Sequence, residues 1–155
     1  MLYLVCSLDD EHYLEPDFVA FRTEKEAIEE CENKNLHYAN GEMNGNSHLE
    51  RTGQSIRYDW SSGKDQFLVN EILKFDDINE YLLIRHHAYN MVDFTLMEVG
   101  SFDKCNQKMA SCVDTIMKDD ETSLVEKSTQ QVIFDDGIEY IVYTIVWVNE
   151  ILQKS

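Results

Sequence analysis

Apolar residues alternate with polar ones over Tyr3–Ser7, stop at an acidic turn at Asp9–Glu11, and return in a second run ending at Phe18–Phe21. Period-two alternation on both sides of a polar turn predicts a hairpin. Pro16 stands near the start of the second strand, where a missing N–H is tolerated at a sheet edge. Thr23 followed by Glu26 forms a capping box, which marks the start of a helix. Ala27, Ile28 and Cys31 then share one face of a helix predicted over 24–34, and Glu26, Glu29, Glu30 and Glu32 cover the remainder.

Residues 35–53 have no period and read as a long loop, rich in Asn and Gly. Strands are predicted over 54–59 and 66–75, joined by a turn at Ser61, Ser62 and Gly63.

The pattern then recurs. Tyr81–Arg85 and Val92–Val99 read as a second pair of strands, with Phe102 in the place of Phe21. Cys105, Met109, Cys112, Val113 and Ile116 repeat at the three and four spacing of a buried helix face. An irregular stretch over 118–130 precedes strands at 131–135 and 138–152, with Asp136 and Gly137 supplying the turn. Tyr140–Val148 is apolar at both odd and even positions, which predicts a strand covered on both faces.

Val69–Leu73 recurs letter for letter as Val148–Leu152. An internal match at corresponding places suggests a repeat. The predicted fold is therefore α+β, a tandem duplication of a β-β-α-β-β unit over 1–77 and 78–155, with mainly antiparallel sheets each carrying one helix. On this alignment Cys31 and Cys112 occupy equivalent positions.

Chemistry narrows less than pattern does. The cysteines Cys6, Cys31, Cys105 and Cys112 form no Cys-x-x-Cys pair and sit in apolar runs, which reads as reduced core residues. Asp17 after Pro16, with Glu32 and Lys34, matches the letters of the PD-(D/E)xK nuclease pattern, but its Glu-x-Lys pair belongs on a strand and here closes a helix. His86 and His87 are strand neighbours, so they point to opposite faces and do not share a metal. No glycine-rich phosphate loop, nucleophile elbow or metal-spaced His pair is present, and no cofactor or metal is expected. An enzyme reading rests on a site around His86 or His87 with Asp93.

Charge is the remaining signal. Thirty acidic residues against thirteen basic ones leave a net charge of −17, shared as −10 before residue 78 and −7 after it. Such a surface argues against membranes and nucleic acid as direct ligands. No run approaches the length of a membrane span, and Met1–Leu8 enters a strand with no basic leader, so the expectation is a soluble, cytoplasmic protein, in the host cytoplasm if phage-encoded.

A compact chain of this length is about 40 Å across, and duplex DNA of that length carries about 23 phosphate charges. The charge is of that order. In size, charge and lack of catalytic motifs the chain resembles phage anti-restriction and anti-CRISPR proteins, and immunity proteins that neutralise basic nuclease toxins. The resemblance implies a basic protein partner, a nuclease or other nucleic-acid-binding enzyme, whose nucleic-acid surface is blocked. The expected contacts are Asp9, Asp10, Glu11, Glu26, Glu29, Glu30, Asp119, Asp120 and Glu121, with Tyr38 of the long loop as an anchor. A duplicated module that forms a homodimer through its last strand is the third reading.

Overall fold

A computed structural model describes residues 1–38, 45–53, 55–62, 65–88, 92–119 and 121–153, together with the backbone of Ala39. The chain forms mixed α+β structure with two five-stranded antiparallel sheets. It divides into two compact units, Met1–Asp77 with Leu152–Ser155, and Ile78–Ile151. Against the expected division at 77/78, the last residues thus group with the first unit. Leu152 bridges Ala20 in parallel, and Gln153 N donates to Ala20 O at 2.9 Å.

The first unit contains β1 (Leu2–Asp9), β2 (Asp17–Phe21), α1 (Glu24–Ala39), β3 (Asn46–Thr52), β4 (Ser55–Ser61) and β5 (Phe67–Phe75). Its sheet has the order β2-β1-β5-β4-β3. The second unit contains β6 (Tyr81–Ala88), β7 (Asp93–Gly100), α2 (Phe102–Ile116), β8 (Ser123–Lys127), β9 (Gln131–Asp135), β10 (Tyr140–Trp147) and the short α3 (Val148–Ile151). Its order is β7-β6-β10-β9-β8.

Each sheet therefore has one more strand than the β-β-α-β-β pattern predicted. The extra strands are β3, inside the expected loop at 35–53, and β8, inside the irregular stretch at 118–130. Every residue of both strands is exposed. An edge strand with no buried face leaves no apolar alternation to detect; backbone pairing alone defines it. β3 pairs with β4 from Asn46↔Ser61 to Thr52↔Ser55.

Both long helices begin at side-chain caps. Thr23 Oγ1 accepts from Glu26 N at 3.2 Å and donates to Glu26 Oε1 at 2.8 Å. Ser101 Oγ accepts from Lys104 N at 3.1 Å. Just before Ser101, Gly100 adopts φ 150°, a backbone conformation that other residues adopt only with strain. Helix α1 continues past the predicted stop at Lys34 because its last turns are held from outside by Asn35 and Tyr38, described below.

On the helix-facing side of the first sheet, Val5, Phe21, Ala27, Cys31, Ile56 and Ile72 form the core. In the second unit the corresponding cluster is Leu83, Cys105, Met109, Val132, Phe134, Tyr143 and Ile145. Counted from the caps, Ala27 and Cys31 correspond to Cys105 and Met109. Cys31 is therefore not the counterpart of Cys112, which lies at the margin of its cluster. Phe102 likewise opens a helix, whereas Phe21 closes a strand. The opposite face of each sheet is buried as well, with Leu2, Leu4, Cys6 and Leu8 on β1 and Leu82, Ile84, His86 and Ala88 on β6. All four cysteines are free thiols, and burial pushes the Cys31 thiol up to about 12.

The repeated pentapeptide does not occupy equivalent places. Val69–Leu73 lies within β5, with Leu73 opposite Leu4 and Ile72 opposite Val5. Val148–Ile151 is the helical turn α3, which ends the strand expected to run to 152. Identical residues extend a ladder where neighbouring strands flank them and coil where the ladder has ended. Val148 N donates to Glu80 O at 2.9 Å as the last strand contact.

Candidate functional site

A cleft of about 510 Å³ lies in the first unit, between the second half of α1 and the β1–β2 hairpin. Leu8, Leu68 and Tyr38 supply its apolar wall, and Asp9, Glu15, Asp17 and Glu30 supply carboxylates. Lys34 and His37 project from α1 into the same space.

A buried polar network forms the back of this cleft. Asn70 is fully buried. Its Oδ1 accepts from Ser7 Oγ at 2.7 Å, and its Nδ2 donates to Asn35 Oδ1 at 2.7 Å and to Tyr58 O at 2.9 Å. Its backbone N donates to Asp59 Oδ1 at 3.0 Å. Asn35 Nδ2 also donates to Tyr58 O at 3.1 Å, which ties α1 to β4. Every polar atom of the Asn70 side chain is used, so its burial carries no unsatisfied cost.

The network reaches the cleft through Lys34, whose Nζ donates to Ser7 Oγ at 3.1 Å and pairs with Asp17. Lys34 is 18% exposed and Asp17 65%, so the pair has one half-sheltered partner and one in water. Asp59, at the far end, has its carboxyl raised above the ordinary value by burial, against the opposing pull of Arg57 and the Asn70 amide.

The expected contact residues divide by role. Asp9 Oδ1 accepts from the backbone N of Glu11 at 2.9 Å and of His12 at 2.8 Å, which builds the hairpin turn. The same carboxylate meets the His12 ring and raises its pKa, through the hydrogen bond first and charge second. Asp10 Oδ1 accepts from Phe67 N at 3.0 Å and from Tyr38 Oη.

Tyr38 is thus not a loop residue but the last turn of α1, with its ring edge-on to Trp60 at 5.4 Å. Burial, then Asp10, pushes its hydroxyl pKa up. Glu26 completes the helix cap. Asp119, in the other unit, accepts from Glu121 N at 3.0 Å and Thr122 Oγ1 at 3.4 Å, so it also shapes a turn. Asp120 lies outside the described residues. Glu11, Glu29 and Glu121 are exposed, and Glu30 is partly buried at the cleft.

Asp9, Glu30 and Tyr38 are brought together in one cleft, and Asp10 stands behind Tyr38. Glu15 and Ser7 join them without having been singled out, and Asn70 and Asn35 stand behind Ser7 in the buried network. The available signal was two polar residues, Ser7 and Asn70, at helix-facing positions of otherwise apolar strands. The Asp17–Lys34 half of the nuclease-like letters does meet in space, but Glu32 does not line the cleft. Among the described residues no group of three or more His, Cys, Asp or Glu side chains is placed to hold a metal.

His86 is fully buried beside Phe94, with ring centroids 5.4 Å apart. His87 points the other way and pairs with Asp93 at 3.3 Å and Glu139 at 3.8 Å. These residues do not line the first-unit cleft.

No helix among the described residues is long and apolar enough to cross a membrane. Comparisons with protein-family models, curated proteins and solved structures return no match to this chain.

Proposed function

We propose that this chain is a small acidic binding protein that inhibits a nucleic-acid-handling enzyme by occupying the basic surface where DNA or RNA would lie. We also propose that its halves arose by duplication of one unit, whose order is β-β-α-β-β-β.

The observation that carries the binding reading is the first-unit cleft. A lysine or arginine side chain of a partner would lay its aliphatic stem against Leu8, Leu68 and Tyr38 and bring its charge to Glu15 and Glu30. The Asn70–Ser7–Lys34 network keeps the back of the cleft rigid, so little ordering is lost on binding. The net charge of −17 steers cationic partners and makes association strongly salt-dependent.

Capture of a nucleic-acid-binding enzyme from host lysate, compared at low and high salt, tests the reading. The expected partner is basic, is lost at high salt, and is displaced by competing duplex. Reversal of the exposed Glu29 and of the partly buried cleft residue Glu30, as Glu29→Lys and Glu30→Lys, should weaken the purified complex more than tenfold, on the order of the coupling measured for close charge pairs across interfaces. An unchanged affinity for the reversed protein, or a partner whose nucleic-acid binding is untouched, rejects the proposal.

A further inference from the structure

In the second unit a notch opens where β9 falls short of β10. Their ladder runs from Tyr140↔Asp135 to Thr144↔Gln131 and closes with Ile145 N donating to Gln130 O at 2.8 Å. β10 then continues through Val146 and Trp147 beside β6 alone. The space left by the missing strand is a cavity of about 400 Å³, bounded by the turn at Ser128 and Gln130 on one side and by Glu150 and Ile151 of α3 on the other. That size lies in the range of small-ligand sites.

The walls of this notch have a particular chemistry. Trp147 is 37% exposed. Its indole stacks on Tyr81, with planes 17° apart and centroids separated by 6.1 Å, and Tyr81 is held edge-on by Phe102 at 5.5 Å. The exposed indole is therefore backed by two rings and fixed in orientation. Beside it the notch is lined by Glu150, which supplies a carboxylate, and by Gln130, which supplies a side-chain amide; Gln131 Nε2 and Thr144 Oγ1, 3.4 Å apart, already bond to each other.

An aromatic face attracts cations, and a carboxylate beside it adds to that preference. A guanidinium is planar, stacks on aromatic faces and carries five donors for such acceptors, whereas an ammonium has three donors and no plane. Anions are disfavoured by the net charge of −17.

We infer that the notch binds a guanidinium group, the arginine side chain of another protein, stacked on Trp147 with Glu150 meeting its charge. This goes beyond the first-unit cleft and stands or falls apart from it.

Titration of the isotope-labelled full chain with N-acetylargininamide, followed by amide chemical shifts, tests the inference. Saturable shifts are expected at Gln130, Gln131, Thr144, Trp147 and Glu150, with N-acetyllysinamide weaker by about fivefold, in keeping with the loss of stacking. Trp147→Ala should weaken binding by about fivefold or more. Because that variant also removes packing from Tyr81, the exposed Glu150→Gln is the deciding one, and it should weaken arginine while leaving the fold's spectrum intact.

No saturable shift, unchanged affinity in Glu150→Gln, or equal binding of the neutral N-acetylglutaminamide overturns the inference. So does preferential binding of methyl glucoside, which would make the notch a sugar site. Loss of this site would leave the charge-reversal result at Glu29 and Glu30 unaffected, so the two readings fail separately.

Discussion

Ser7 and Asn70 are ladder partners in the first sheet, and Arg85 and Tyr143 hold the corresponding pair in the second. On the helices, counted from Thr23 and Ser101, Lys34 and Asn35 correspond to Cys112 and Val113. One scaffold thus carries two different layers between helix and sheet. The first unit places small amides, a hydroxyl and a lysine there and joins them into a closed network that ends at an open cleft. The second places larger and more apolar groups there, and Cys112, Val113 and Ile116 pack against its core. Burial raises the Tyr143 hydroxyl pKa, with the neighbouring Cys112 adding to the effect and Arg85 opposing it. A buried polar layer is tolerated only when each atom has a partner, so the first unit is more specific in geometry and more sensitive to loss of any member.

That contrast can be broken first in the apolar unit. Phe134→Ala removes a fully buried ring from the second core and should cost about 4 kcal/mol in urea unfolding, with the Tyr143 environment the first to loosen. The polar unit should respond to a change that adds hydrophobicity. Asn70→Leu takes the acceptor from the Ser7 hydroxyl and a donor from Asn35 Oδ1 and Tyr58 O, and should cost about 3 kcal/mol despite its apolar character. If Asn70→Leu proves stabilising, the network is not what holds α1 to the sheet.

Smaller effects sharpen the same comparison. Tyr38→Phe removes one hydrogen bond to Asp10 and keeps the ring against Trp60, so a loss of about 1 kcal/mol is expected, with faster amide exchange in the last turn of α1. The smallest effect is pH-dependent. The folded-state pKa of His12 lies above its ordinary 6.5, so its contribution is complete below that value and is lost as pH rises through the folded pKa. Thermal stability measured from about pH 6 to about pH 8 should show a slight decline that disappears in His12→Gln.

Much of the site was legible in part. The acidic turn, the capping box and the helix face follow from local chemistry, and Asp9, Glu26 and Asp119 carry the turn and cap roles that such residues adopt. What was not legible is which acids are already engaged. Asp10 looked like one more surface carboxylate in a run, yet it accepts from Tyr38 and from Phe67 N, residues 28 and 57 positions away in the chain. Asn70 sat inside an apolar strand with no sign that Ser7 and Asn35 would complete it. Contacts at such separations leave no periodic trace.

Period, with one capping box at Thr23, was enough in the sequence alone to place both long helices and the two hairpins that precede them, because these depend on neighbours two to four residues apart. The tertiary structure alone decided the two exposed edge strands, which exist only through pairing with β4 and β9. It also decided the fate of the repeated pentapeptide. Val69–Leu73 is strand because β1 and β4 flank it on both sides, and Val148–Ile151 is helix because the ladder has already ended. Backbone hydrogen bonds must be satisfied somewhere, and where no neighbouring strand remains to accept them the chain closes them within itself.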